Sequence, residues 1–239
     1  MYRLIAKPFL EANLAVAIVG YRTYPDGNIQ SQVNDLEAAS KEIALNNPTL
    51  CSKPLALAKN EWTGTILLGH SSGAHIAILK LAQQIERWSK IKDVNSKELG
   101  INFDQVIGLS GVYSINEHFD LESGRGVEEI SPMKPGCGYT MDSFDLHSPA
   151  VRLAAMSTKR SKYLKLPDML LIHGVNDDVV PFSSAKRAAN ILQNWGYDNV
   201  ETHYLKSTGH QDTIMHLMFG GVARDFIFSK ILQLKARDI

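Results

Sequence analysis

The chain has 239 residues, of which 44% are hydrophobic, and its 25 basic residues balance its 25 acidic ones. This length suits one α/β domain, and the balanced charge gives no basic surface for nucleic acid or an anionic membrane. The two cysteines, Cys51 and Cys137, form no CxxC pair and no cluster with histidine, which excludes an obvious zinc site or disulfide framework. No apolar run is long enough to span a membrane.

The first residues predict a short helix, a break and a strand. The helix covers Arg3–Glu11, the break falls at Asn13, and Leu14–Val19 reads as a buried strand. Glu11 and Asn13 interrupt the apolar stretch, which argues against a signal peptide. We therefore expect the sequence to begin within the fold, without a natural first strand.

The following residues alternate between helix and strand. A helix is expected from about Ile29 to Ala44, and after a long connection with two prolines a strand covers Thr65–Leu68. A polar linker over Lys90–Gly100 precedes the next strand, Gln105–Leu109. Between the strand Thr65–Leu68 and this linker lies a predicted helix. Its apolar side chains recur at steps of three and four residues: Ala74, Ala77, Ile78, Leu81, Ile85 and Trp88.

The second half begins with residues 113–165, which show no steady period and read as an irregular lid or cap with short helices. The alternation predicts a single α/β domain over 1–239, with a mostly parallel sheet and helices on both faces. Ligand sites in such sheets lie at the carboxyl ends of the strands. The remaining predicted elements are a strand, Met169–His173, a helix, Ser184–Trp195, a strand over 199–205 and a helical region from Asp212 that bends at Gly220–Gly221.

One strand end carries a serine flanked by glycines. Residues 69–73, GHSSG, fit the pattern G-x-S-x-G between a predicted strand and a predicted helix. Glycines on both sides let the backbone reverse sharply, so that Ser71 is exposed at a helix N-terminus as a candidate nucleophile. The N–H of Ser72 then faces any oxyanion that develops there. The alternative is a tight turn with an idle serine.

A serine nucleophile needs a base, and the base needs an orienting carboxylate. Asp177 and Asp178 both follow the strand Met169–His173, and we favour Asp177 because it lies within the tight turn. His210 follows the last strand through a Ser-Thr-Gly turn and is the candidate base. The other histidines are interpreted as packing, pocket or surface residues: His70, His75, His118, His147, His173, His203 and His216.

Several segments carry a family resemblance: 20–27 (GYRTYPDG), 69–75 (GHSSGAH), 108–113 (GLSGVY), 173–181 (HGVNDDVVP) and 208–221 (TGHQDTIMHLMFGG). They resemble the α/β-hydrolase superfamily, and most of all its carboxylesterase branch, which includes isoprenylcysteine methylesterases, kynurenine formamidases and hormone-sensitive-lipase-like esterases. The resemblance implies ester hydrolysis without a metal or an organic cofactor, and it matches Ser71, Asp177 and His210 to the family's triad. The implied partner is a small-molecule ester or a prenylated-cysteine methyl ester, with no nucleic acid.

The sequence departs from that branch at its beginning. The branch carries an HGG-type loop ahead of its first helix, whose N–H groups bind the oxyanion, and no such stretch precedes residue 12. The early strands and the membrane segments found upstream in the methylesterase group are missing too, which indicates a fragment, an alternative start or a diverged form. Losing those donors would cost on the order of 3–4 kcal/mol of transition-state stabilisation.

The sequence leaves three functions open. The first is a serine carboxylic-ester hydrolase that works through an acyl-enzyme and is similar to a prenylcysteine methylesterase. The second is an amidase or formamidase of the same fold, and the third is a binding protein that has lost its oxyanion loop. The acyl and alcohol groups, the oligomeric state, and a location in the cytoplasm or at the periphery of an internal membrane stay undetermined.

Overall fold

Parallel strands form the sheet at the centre of the chain. The computed structural model describes residues 2–46, 64–90, 103–156 and 166–237. Within them the strands pair in the order β1-β2-β3-β4, each parallel to its neighbour. The prediction of a parallel α/β sheet is thereby confirmed. The strands are β1 (Ile66–His70), β2 (Gln105–Leu109), β3 (Asp168–Gly174) and β4 (Val200–Leu205).

Helices connect the strands as the alternating pattern predicts. A short 3₁₀ helix, Tyr2–Ile5, leads into α1, and together they cover the helix predicted over Arg3–Glu11. Residues 113–156 hold short helices between β2 and β3. The helices are α1 (Ala6–Glu11), α2 (Ile29–Asn46), α3 (Ser72–Lys90), α4 (Ile115–Gly124), α5 (Met133–Cys137), α6 (Met141–Leu146), α7 (Pro149–Ala154), α8 (Ser183–Trp195), α9 (Asp212–Phe219) and α10 (Val222–Arg237).

The two faces of the sheet are both covered. In β2, Val106 packs into a cluster with α3, α7 and α8, whereas the next residue, Ile107, packs into a cluster with α9 and α10. In β3, Leu171 and Leu170 divide between the same two clusters. Because successive side chains of a strand point to opposite faces, this division places helices on both sides of the sheet and explains why the central strands are mostly apolar.

The predicted strand Leu14–Val19 is wrong. This segment has no regular secondary structure and pairs with none of the strands in the described part of the chain. Its side chains are not buried as predicted, since Ile18 is 48% exposed and only Leu14 reaches the cluster under α9 and α10. An apolar run satisfies the hydrophobic pattern of a strand, but the strand itself also requires a neighbour to complete its hydrogen-bond ladder.

One other expectation needs adjustment. The bend predicted at Gly220–Gly221 is a complete break between α9 and α10, and both glycines have positive φ, at 100° and 146°.

Residues 47–63, 91–102 and 157–165 lie outside the described part of the chain, and with them lie most of both predicted linkers, Cys51 and the end of the predicted lid. Within the described residues, no helix combines the length and apolar character needed to cross a bilayer.

Candidate active site

Ser71 occupies a sharp turn between β1 and α3. Its φ is 53°, in the left-handed region, and its N–H donates to the carbonyl of Leu109 on β2 at 2.8 Å. A Cβ on Gly69 would lie 2.3 Å from the carbonyl group of Gly73, so the turn closes only with glycine at position 69. The steric demand that the G-x-S-x-G pattern predicts is therefore present, and the Ser71 side chain is partly exposed above the sheet.

His210 lies beside Ser71 although 139 residues separate the two positions. It belongs to the loop between β4 and α9 and is buried, with 5% of its surface exposed. Its Nε2 atom is 3.0 Å from Ser71 Oγ, which is hydrogen-bond distance. The loop after β4 thus places the His210 imidazole beside Ser71 at the carboxyl end of β1.

Asp177 holds the opposite side of the same imidazole. Its Oδ2 atom is 2.8 Å from His210 Nδ1, and its Oδ1 atom accepts the main-chain N–H groups of Val179 at 3.0 Å and Val180 at 2.8 Å. The neighbouring carboxylate, Asp178, is exposed to solvent. The turn after β3 therefore orients Asp177 toward His210 and Asp178 away from it, which is the arrangement that the sequence favours.

The Asp177 carboxylate is ionised in this environment. Burial alone would raise its pKa, but hydrogen bonds from His173, His210 and the Val180 N–H outweigh burial and hold the pKa well below its usual range. A carboxylate can only accept, so His210 Nδ1 carries a hydrogen and Nε2 presents a lone pair toward Ser71. The hydroxyl of Ser71 can therefore donate to His210.

The loops that carry Asp177 and His210 meet at a glycine. A Cβ on Gly174 would lie 2.2 Å from the carbonyl oxygen of Thr208, and that same oxygen accepts the N–H of Asn176 at 3.0 Å. A side chain at position 174 would force the two loops apart. The sequence HGVNDD thus contributes both a carboxylate and the glycine that lets the histidine loop approach it.

Ser72 provides the main-chain N–H that follows the serine. It is the first residue of α3, and the N–H groups of a first helical turn have no partner within their own helix. The positive end of the helix dipole lies there as well, so negative charge next to Ser71 is favoured.

No group of three or more His, Cys, Asp or Glu side chains that could hold a metal occurs among the described residues.

Two of the other histidines make contacts beside this site that the sequence did not predict. His173 is fully buried, and its Nε2 lies 2.8 Å from the Val180 carbonyl and 3.2 Å from Asp177 Oδ2. His70 Nε2 lies 3.0 Å from the main-chain carbonyl of His210. His70 lies in the segment 69–75 and His173 in the segment 173–181, but the spacing of residues in these segments does not show which atoms the two histidines contact.

His75 is buried on α3, and its hydrogen-bond partner is distant in the sequence. Its Nε2 donates to the carbonyl of His147 at 2.7 Å, which links α3 to the end of α6. Of the remaining histidines, His118 contacts Glu122 at 3.5 Å, His203 stacks on Phe226, and His216 lies within α9.

Comparison with known proteins places this site in a family context. Residues 1–192 match the model of the BD-FAE family. The chain is 26% identical over 234 residues to an isoprenylcysteine alpha-carbonyl methylesterase of Arabidopsis thaliana, which covers 97% of this chain and 51% of that protein. It is 25% identical over 194 residues to a probable isoprenylcysteine alpha-carbonyl methylesterase of Oryza sativa subsp. japonica, covering 81% and 43%. The chain thus spans about half the length of the curated relatives it matches.

Solved structures share the fold. Esterase B from Lactobacillus rhamnosis superposes with a TM-score of 0.68 at 16% identity, over 99% of this chain and 70% of that chain. A truncated carbohydrate esterase from gut microbiota superposes with a TM-score of 0.65 at 18% identity, over 98% and 78%. At these identities the similarity establishes the fold, which is that of the α/β hydrolases.

Proposed function

The chain belongs to the BD-FAE family, and from that membership and the geometry of its site we propose that it is a serine carboxylic-ester hydrolase. The observation that carries the proposal is one continuous hydrogen-bond chain. Ser71 Oγ is 3.0 Å from His210 Nε2, and His210 Nδ1 is 2.8 Å from Asp177 Oδ2. Nucleophile, base and orienting carboxylate in this order are the groups that acyl transfer requires.

The first half of the proposed reaction forms an acyl-enzyme. Ser71 Oγ attacks the ester carbonyl carbon while its proton passes to His210 Nε2. The resulting imidazolium is stabilised by the ionised carboxylate of Asp177, which remains unprotonated. When the tetrahedral intermediate collapses, the C–O bond to the alcohol breaks, and His210 returns the proton to the leaving oxygen.

The second half releases the acid. A water molecule gives one proton to His210 Nε2 as its oxygen attacks the acyl carbon. Collapse of this intermediate breaks the bond between the acyl carbon and Ser71 Oγ, and His210 returns the proton to that oxygen. The products are the carboxylic acid and the alcohol, so no oxidant, reductant or co-reactant other than water is consumed. The N–H of Ser72 supports both tetrahedral intermediates by donating to the oxyanion.

The proposed substrate class is a carboxylic ester, with a methyl ester of a prenylated cysteine as the specific candidate. The names of the curated relatives support this choice, since they are isoprenylcysteine alpha-carbonyl methylesterases. The triad chemistry alone does not select between an ester and an activated amide, because both are attacked at a carbonyl carbon. Only a direct comparison of an ester with an amide substrate can therefore distinguish the two activities.

The primary test is covalent labelling together with turnover. Wild-type protein should react with a fluorophosphonate probe at Ser71 and hydrolyse a p-nitrophenyl ester, and Ser71→Ala should lose both activities. Ser229→Ala is the matched control, because Ser229 is an exposed serine on α10. Absence of labelling in folded wild-type protein, or esterase turnover that survives Ser71→Ala, would contradict the proposal and favour a binding protein.

The substrate test compares two compounds at equal concentration. The methyl ester of N-acetyl-S-farnesylcysteine and an aryl formamide should be offered to wild-type protein and to Ser71→Ala. The proposal expects Ser71-dependent release of methanol to exceed release of formate. Faster formate release would assign the protein to the formamidases instead.

A further inference from the structure

The main-chain carbonyl of His210 accepts two hydrogen bonds from different parts of the fold. His70 Nε2 lies 3.0 Å from this oxygen, and Thr213 Oγ1 lies 3.0 Å from it. His70 is the last residue of β1, directly before Ser71, and Thr213 lies in the first turn of α9. All three residues are buried, with 8%, 0% and 5% of the surfaces of His70, Thr213 and His210 exposed.

The direction of each hydrogen bond follows from the chemistry of the acceptor. A carbonyl oxygen can only accept, so His70 must carry its hydrogen on Nε2, and Thr213 must give its single hydroxyl hydrogen to His210. His70 Nδ1 is then unprotonated, and it is buried without a hydrogen-bond partner among the described residues. Burial lowers the pKa of His70 to about 4, which keeps this ring neutral near neutral pH.

Ser110 extends the arrangement to the next strand. Its Oγ is 3.3 Å from Thr213 Oγ1, and because the Thr213 hydrogen is already used, Ser110 is the donor of this pair. Ser110 directly follows β2, is fully buried, and has a positive φ of 49°. The segment GLSG, which no catalytic step uses, thus supports the histidine loop through Thr213.

The rings of His70 and His210 are also in contact. Their centroids are 4.9 Å apart and their planes differ by 49°. His70 is covalently adjacent to the nucleophile, so the residue that holds the base's main chain is fixed to the same turn as Ser71. The distance between base and nucleophile is therefore set by one short connection rather than by the longer path through the loop, where Gly209 immediately precedes His210.

We infer that His70 and Thr213 are positioning residues, which fix the main chain of His210 so that its imidazole stays between Asp177 and Ser71. The catalytic consequence rests on the proposed hydrolase function, whereas the holding of His210 itself does not. A catalytic side chain must be held within about 0.5 Å of its productive position, and a displacement of about 1 Å can lower the rate about 100-fold. Both residues donate to the main-chain carbonyl of His210 and not to its ring nitrogens.

The kinetic test uses two pairs of variants. Thr213→Val and His70→Phe remove a donor but keep the shape of the side chain, whereas Thr213→Ser and His70→Gln keep a donor. We expect kcat for a p-nitrophenyl ester to fall about tenfold in each donor-free variant, with KM changed less than about twofold. The donor-keeping variants should recover most of the loss. Equal losses within each pair would show that packing matters instead, and would overturn the inference.

A spectroscopic test separates this inference from the proposed function. The proton on His210 Nδ1, held by Asp177, should give a downfield proton resonance that Asp177→Asn removes. Thr213→Val and His70→Phe should broaden that resonance through faster exchange with water, whether or not the protein turns over an ester. If Thr213→Val and His70→Phe broaden the resonance but the wild type shows no Ser71-dependent turnover, the proposed function fails and the positioning role stands.

Folding controls complete the experiment. Ser40→Ala removes a buried hydroxyl that donates to the Leu36 carbonyl on α2, so it should leave both kcat and the resonance unchanged. Should Thr213→Val fail to fold, the two His70 variants decide the question alone. Unchanged kcat and an unchanged resonance in folded His70→Phe would overturn the inference.

Discussion

Asp177 and His210 meet through one hydrogen bond of 2.8 Å, and each is also held by hydrogen bonds from other residues. The second carboxylate oxygen of Asp177 accepts two N–H groups from its own turn, and the His210 carbonyl accepts from His70 and Thr213. Acid and base are thus both held before any substrate binds. Such preorganisation lets the site respond to developing charge without reorganising.

The first prediction compares the two neighbouring carboxylates. In Asp177→Asn the amide can present its N–H₂ to His210 and favour the tautomer whose Nε2 carries the hydrogen, so the base can no longer accept the Ser71 proton. We expect kcat for a p-nitrophenyl ester to fall by about 10⁴-fold. Asp178→Asn changes an exposed carboxylate and should stay within about twofold of wild type. Comparable losses of kcat in the two variants would contradict the assignment of the orienting role to Asp177.

The second prediction concerns the glycines around Ser71. Gly69→Ala would place a Cβ 2.3 Å from the Gly73 carbonyl group, so the turn must open, at a cost of about 3 kcal/mol in the free energy of unfolding. A Cβ on Gly73 meets the Tyr21 hydroxyl at 3.9 Å, which is ordinary contact, so Gly73→Ala should change stability by less than about 1 kcal/mol. Urea unfolding followed by circular dichroism measures both. A stable Gly69→Ala would contradict the steric account of the turn.

How far the sequence determines this structure depends on how local the cause is. The predicted bounds of the strand Gln105–Leu109 match the observed ones, because a strand covered on both faces is mostly apolar along its length. Leu14–Val19 is an equally apolar run, yet no neighbouring strand completes its ladder in the described part of the chain. Hydrophobicity reports burial tendency, whereas pairing depends on residues far away in the sequence.

The same distinction applies to the candidate site. The position of each residue after a strand predicts that Ser71 and His210 lie close together, since parallel strands bring their carboxyl ends to one edge of the sheet, and the structure places the two side chains 3.0 Å apart. The choice of Asp177 over Asp178 was weaker, because a turn's own N–H groups decide which carboxylate points inward. The contact between His70 and His210 spans 140 residues and leaves no periodic pattern, so only the fold reveals it.

The third prediction is a pH dependence of stability that arises from His75. Burial lowers the pKa of this histidine to about 4, although its hydrogen bond to the His147 carbonyl acts in the opposite direction. In the unfolded chain its pKa is about 6.5, so between about pH 6.5 and pH 4 the unfolded state binds the extra proton. The contribution is therefore complete above about pH 6.5 and is lost as the pH falls toward 4.

His75→Gln tests this linkage because glutamine keeps an N–H for the His147 carbonyl but does not titrate. From pH 7.5 to pH 4.5 the wild type should lose about 1–3 kcal/mol more of its free energy of unfolding than the variant loses. His70 has a pKa lowered to about 4 by burial as well, so some loss should persist in the variant. Parallel curves for the two proteins from urea unfolding would contradict the assignment to His75.

The last prediction concerns the glycine where the acid and base loops meet. A Cβ on Gly174 would lie 2.2 Å from the Thr208 carbonyl oxygen, and backbone cannot yield as a side-chain tip can. The shift needed to relieve this contact moves Asp177 and His210 apart, and a displacement of about 1 Å costs about 100-fold in rate. Gly174→Ala should therefore lower kcat for a p-nitrophenyl ester by about 100-fold and broaden the downfield proton resonance of His210. Gly124→Ala is the control, because its Cβ would meet nothing within 4 Å at the end of α4. A Gly174→Ala protein with normal kcat would show that the two loops can separate without cost, and that the triad distances do not depend on their contact.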